Sequence, residues 1–248
     1  MLKRVFKLFK IARKLSTSGA IETINRVHQI PLSINIFFSL ISIGSKNTHL
    51  QNKNPGQNLR EALQGMGTTF IKLGQFLATR PDIIGEEMAK DLEKLQDKVP
   101  AFELYEAKKV IKKEIGEKQY QNIIEIGEPI AAASIAQVHF AKIKNENQEK
   151  EVAIKILRPD IEKLFNEELD ALMLFAYIVE NTISKAKRLK LVEVVYLLRE
   201  ITNIEMDLRF EAAAANELYE NTKLDKGFNV PKIYWNYTTK KILTLDKV

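Results

Sequence analysis

Pro129-Ile130-Ala131-Ala132-Ala133-Ser134-Ile135-Ala136-Gln137-Val138, followed by Val152-Ala153-Ile154-Lys155-Ile156, is the stretch on which the reading of the whole chain turns. A turn of small residues joins two strand-like runs, and a lysine then stands inside a third apolar run. A loop whose backbone can approach phosphates, then a strand lysine to pair with them, is what a polyphosphate-binding lobe requires. Glycine is the usual residue in such a loop. Alanine holds the backbone slightly off a ligand and removes the freedom to adopt positive φ. By itself the segment also fits plain strand packing, and two further segments carry the functional reading.

With 248 residues, 45% of them hydrophobic and 28% charged, the composition is that of a globular protein with a real core. The lack of cysteine excludes disulfides and thiolate metal sites. His28, His49 and His139 are scattered without ligand spacing, which argues against a zinc enzyme. A net charge of +6 and a pI near 9.2 point to an anionic partner. That charge is concentrated at the start, where Lys3, Arg4, Lys7, Lys10, Arg13 and Lys14 precede the first acidic residue, Glu22. Leu2, Val5, Phe6, Phe9 and Ala12 recur between them at helical spacing. A helix lying on an anionic bilayer, gaining ~1 kcal/mol per basic residue, is one reading. A surface helix packed on its own domain is the other. No small-residue cleavage site follows an apolar core, so a signal peptide is disfavoured. The apolar window 30–44 is shorter than the ~20 residues of a spanning helix and is interrupted by Pro31, Ser33, Asn35, Ser39 and Ser42. No transmembrane helix is expected.

In chain order, the polar stretch 51–57 with its Pro-Gly pair reads as a linker. One helix is expected over 59–79, with Leu63, Met66, Phe70, Leu73 and Leu77 on one face; Gly74 inside it suggests the close approach of another backbone. Arg80-Pro81-Asp82 breaks it, and helices follow over 86–97 and 104–118. Alternation from Gln137 to Ile143 gives a half-buried strand, and a polar turn at 145–148 links it to the lysine strand, so three strands form an antiparallel meander. His139, opposite Val138 and Phe140, reads as an ordinary strand residue. A helix from Asp160 carries Leu164, Leu169, Leu172, Phe175 and Ile178. A basic loop at 184–190, a long helix over 191–221 and two short strands at 228–235 and 241–245 complete the chain.

Three segments together resemble one family. Phe70-Ile71-Lys72-Leu73-Gly74-Gln75, continued in Ala78-Thr79-Arg80-Pro81-Asp82 and Leu95-Gln96-Asp97-Lys98-Val99-Pro100, is the first. The alanine-rich loop with His139, Val152-Ala153-Ile154-Lys155 and Arg158-Pro159 is the second; Glu205-x-Asp207 with Glu211-Ala212-Ala213 is the third. Their order and content resemble the UbiB family of atypical kinase-like proteins, linked to ubiquinone biosynthesis. The resemblance implies an α+β fold: an atypical kinase-like N-lobe with a helical N-terminal extension. The expected domains are a basic amphipathic segment and linker at 1–58, a helical extension at 59–119 and the lobe at 120–248.

By the same resemblance, Lys155 pairs with the α- and β-phosphates of ATP and Glu211 is its helix partner. Ile130 through Val138 form the nucleotide loop. Glu205 and Asp207 match the Glu-x-Asp pair thought to help hold the Mg2+–nucleotide complex. Lys72 and Gln75 match the Lys-x-Gly-Gln element that lies over the pocket and orients the site. Spacing alone leaves Glu211, Glu205 and Asp207 as solvated helix carboxylates, since residues two apart on a helix do not share a face. The family's Asp-x-His-Pro-Gly-Asn-like loop and Asp-x-Gly-like triad do not occur in the 248 residues. A truncated, catalytically incomplete lobe with negligible ATP turnover is therefore expected. The expected setting is the cytoplasmic face of the bacterial inner membrane, held peripherally, with ubiquinone-biosynthesis proteins or lipid precursors as partners. The competing reading is a non-catalytic membrane-associated module that binds such a partner or lipid. Nucleic-acid binding rests on net charge alone, without a stacking platform or reading helix, and is set aside.

Overall fold

The computed structural model describes residues 9, 12–13, 54–95, 99–145, 148–182 and 184–248. The readings of the basic N-terminus, the apolar window 30–44 and the polar stretch before Asn54 lie outside these residues. The exceptions are Phe9, Ala12 and Arg13, which are helical. The chain divides into two compact units, one running to Asp97 and including Lys163–Arg199, the other comprising Lys98–Glu162 and Glu200–Val248.

In the first unit the linker expectation fails at its end. Helix α1 (Pro55–Met66) starts at the Pro-Gly pair, because Asn54 Oδ1 accepts the Gln57 amide at 2.8 Å and Pro55 supplies the preset φ of a first helical residue. The single helix expected over 59–79 is two. Gly67, at φ 106°, separates α1 from α2 (Thr68–Ala78) and splits the apolar stripe between them. Short helices α3 (Pro81–Ile84) and α4 (Glu86–Leu92) follow. What crowds Gly74 is side chain, not backbone: an added Cβ would lie 2.3 Å from Leu95 Cδ1 and 2.9 Å from Leu63 Cδ1. Lys163–Arg199 holds most of α6 (Ile161–Thr182) and the first part of α7 (Leu191–Glu205). Arg199 Nη2 bonds Asp170 at 2.8 Å, and Glu180 Oε1 accepts the Val192 amide at 2.9 Å, tying these two helices together.

The second unit is built on a four-stranded antiparallel sheet in the order β1 (Ile123–Ala132), β2 (Ala136–Asn145), β3 (Gln148–Leu157) and β4 (Ile242–Asp246). The expected meander is present, and β1 begins earlier than Pro129. As an edge strand it tolerates that proline, and register shifts on either side of Pro129 mark bulges that bend it. The run 228–235 is not a strand. Ile233 makes one isolated bridge to Leu245, and Trp235–Tyr237 forms a tight 3-10 turn.

One face of this sheet is the core. Ile126, Ile143, Val152, Ile154 and Ile156 pack with Ala107 and Ile111 of α5 (Leu104–Tyr120) and with Tyr234 and Tyr237. Burying each of the large aliphatic side chains stabilises the fold by roughly 1.5–3 kcal/mol. Two polar residues, Gln137 and His139, share that face and are fully buried. The opposite face carries Val138, Phe140, Ala153 and Lys155, all half-buried. The long helix expected over 191–221 is broken at Met206-Asp207, giving α7 and α8 (Leu208–Thr222).

Candidate functional site

Lys155 lies on β3 between Val138 of β2 and Leu243 of β4. What it meets is decided by α8. Asp207 caps that helix, its carboxylate accepting the Arg209 amide at 3.1 Å, and the Leu208 amide donates to the Lys240 carbonyl at 2.9 Å. The start of α8 is thereby fastened to the chain entering β4, and Glu211, in its first turn, faces the lysine. Lys155 Nζ donates to both carboxylate oxygens, at 2.8 and 2.7 Å. The side chains keep 30% and 48% of their surface exposed, so the pair contributes only about 0.5–1 kcal/mol to stability. An ammonium held in place yet partly accessible remains able to take an anionic oxygen.

The alanine-rich loop turns tightly where the Ala133 amide donates to the Ala136 carbonyl at 2.8 Å. Ile130 and Ala131 are exposed, Ala132 and Ala133 half-buried, and Ser134, Ile135 and Ala136 buried. The Ser134 hydroxyl is 1% exposed and has no hydrogen-bond partner among the described residues. Two side chains hold the loop in place, one from outside it and one from its own end. Arg158 donates to the carbonyls of Ala133, Val99 and Pro100. Gln137 clasps the backbone of Phe102, accepting its amide at 2.8 Å and donating to its carbonyl at 3.0 Å. Gln137 thus belongs to the loop by its backbone, while its side chain faces the core.

His139 is more than an ordinary strand residue. Its Nδ1 lies 2.8 Å from the Gly127 carbonyl, which can only accept, so Nδ1 carries the proton. Nε2 then accepts from the second N–H of the Gln137 amide, at 2.8 Å. Every polar atom of both side chains is matched, which is what allows them to be buried in an apolar cluster.

The break between α7 and α8 takes Glu205 and Asp207 off a common helix. Glu205 ends α7 half-buried. Asp207 is committed to its helix cap and to Arg209, whose Nε and Nη2 donate at 2.9 and 2.6 Å. The Arg209 hydrogen bond holds the Asp207 carboxyl below the usual carboxylate range against the opposing effect of burial. Among the described residues no group of three or more His, Asp or Glu side chains comes together as a metal site. Lys72 and Gln75 lie one turn apart on α2 in the other unit, both half-buried. Spacing alone marks no role for Arg158, His139 or Arg209. An arginine standing directly between the lysine strand and Pro159 was the one available hint.

Residues 94–248 match the ABC1 atypical kinase-like domain family. The whole chain aligns at 36% identity with a Marinobacter nauticus protein named probable protein kinase UbiB, covering 44% of that protein. A Pseudomonas paraeruginosa protein of the same name is 38% identical over 78% of this chain and 36% of its own length. An Azotobacter vinelandii protein, also so named, is 37% identical over 77% of this chain and 35% of its own. The chain therefore spans less than half the length of these curated relatives.

Proposed function

The chain belongs to the ABC1 atypical kinase-like family, and from that membership we propose that its sheet lobe binds ATP on the face that carries Lys155. The observation that carries this reading is the ion pair between Lys155 and Glu211, with both carboxylate oxygens engaged. Lys155 neutralises α- and β-phosphate oxygens while Glu211 keeps the ammonium from folding away. Val138 and Ala153, half-buried on the same face, offer the apolar surface an adenine needs. Magnesium would come with the nucleotide, and Glu205 and Asp207 would help hold that complex, as the Glu-x-Asp pair implies. Lys72 and Gln75 keep the regulatory role that the Lys-x-Gly-Gln element implies.

The setting we read for this activity is ubiquinone biosynthesis, with biosynthetic proteins or lipid precursors as partners. Attachment is peripheral, at the cytoplasmic face of the inner membrane, through the basic N-terminal segment. No helix among the described residues is long and apolar enough to cross a membrane. Flotation with anionic vesicles tests the attachment: deleting residues 1–15 abolishes it on this reading, and unchanged flotation removes it. For the nucleotide, calorimetric titration with ATP and magnesium is the test. Saturable binding by the 248-residue chain, weakened at least tenfold in Lys155→Ala and Glu211→Gln, is expected. A flat titration of the unmodified chain would overturn the reading.

A further inference from the structure

Arg158 directly follows β3, three residues beyond Lys155. Its Nε and Nη2 donate to the Ala133 carbonyl at 3.1 and 2.9 Å, Nη2 also reaches Val99 O at 3.2 Å, and Nη1 reaches Pro100 O at 2.9 Å. Its own amide donates to Ile135 O at 2.9 Å, and its guanidinium carbon lies 5.8 Å from the centre of the Phe102 ring. The guanidinium is half-buried, and burial lowers its pKa with no acidic neighbour among the described residues to offset the effect. A desolvated cation without a counter-ion is costly unless its donors are used. Here they are used on backbone carbonyls of two separate segments, which a planar five-donor fork can bridge and a lysine ammonium cannot. Beside it, Gln137 makes the second link between the same segments through Phe102.

We propose that Arg158 is a positioning residue that latches the alanine-rich loop to the end of the lysine strand. The loop and Lys155 are then set from one strand before any ligand arrives. A glycine loop gains its approach to phosphates through flexibility; this loop has methyl groups in place of that freedom and is held at Ala133 and Ile135 instead. Resting on the nucleotide reading, the latch acts on the polyphosphate and not on the base. Loosening it lowers affinity for ATP and leaves affinity for adenosine where it was.

The test compares the unmodified chain, Arg158→Lys and Lys155→Ala by amide hydrogen exchange and by titration with magnesium–ATP and with adenosine. In Arg158→Lys, exchange at residues 133–136 should rise at least tenfold while residues 140–156 stay protected. ATP affinity should fall about tenfold and adenosine affinity should not change. Unaltered exchange at 133–136, or an equal loss of ATP and adenosine affinity, overturns the proposal. If Lys155→Ala leaves ATP affinity intact while Arg158→Lys still mobilises 133–136, the nucleotide reading fails and the latch stands. Should Arg158→Lys not fold, Phe102→Leu removes the ring beneath the guanidinium and leaves the carbonyl contacts. Exchange at 133–136 should then rise two- to threefold, and no rise counts against the latch.

Discussion

Along β3, Val152, Ile154 and Ile156 enter the cluster with α5, whereas Ala153 and Lys155 between them lie on the other face of the same sheet. On β2 the same alternation sets Ala141 and Ile143 against Val138 and Phe140. A strand has a side-chain period of two, so stability and chemistry can be written into one segment without sharing residues. The buried register bears the apolar contacts and a fully matched Gln137–His139 pair. The other register bears an ion pair too exposed to stabilise much. Substitutions on the two faces should therefore separate cleanly.

The largest effect belongs to the core register. Ile154, 1% exposed, should cost about 3–4 kcal/mol as Ile154→Ala in urea denaturation. A loss below about 1 kcal/mol would break the assignment of faces.

Next is an alkaline transition behind the core face. Tyr234 donates to Asp246 Oδ1 at 2.6 Å, and burial, reinforced by that carboxylate, pushes its pKa up to about 12. The folded state resists ionisation more than the unfolded state does, so this stabilisation is complete below about pH 10 and is lost as pH rises through about 12. It amounts to the order of 2 kcal/mol. Stability measured against pH should show that decline in the unmodified chain and a shallower one in Tyr234→Phe. Identical declines would remove Tyr234 as its source.

A smaller effect sharpens the chemical side. Asp207→Ala deletes the cap of α8 and should cost about 1 kcal/mol, with faster amide exchange in the turn that carries Glu211. Unchanged exchange there would mean that α8 is placed without its cap. Smallest of all, Lys155→Ala should cost less than about 1 kcal/mol of stability. A loss matching Ile154→Ala would show that the faces are not separate.

The meander and the strand lysine were legible because each rests on local pattern, period-two alternation and a short polar turn; the pairing with Glu211 came only through the family resemblance, since spacing leaves that carboxylate on a solvated helix. The break at Asp207 was not, since Met206 and Leu208 continue the apolar spacing and the interruption comes from a bond to the Lys240 carbonyl, far along the chain. Gly67 hid in the same way inside an unbroken helical period, and its positive φ is visible only in the backbone. Arg158 and Gln137 read as motif letters because their partners are backbone groups of residues 99–102, which carry no sequence signature. The burial of His139 was concealed by its polarity, which its two bonded neighbours satisfy.

Methyl NMR during addition of ATP and magnesium to the 248-residue chain tests the division of the sheet most directly. The methyl signals of Val138 and Ala153 should shift while those of Ile143, Ile154 and Ile156 stay in place. Shifts confined to the isoleucines, or no shift at any of the five, would contradict it.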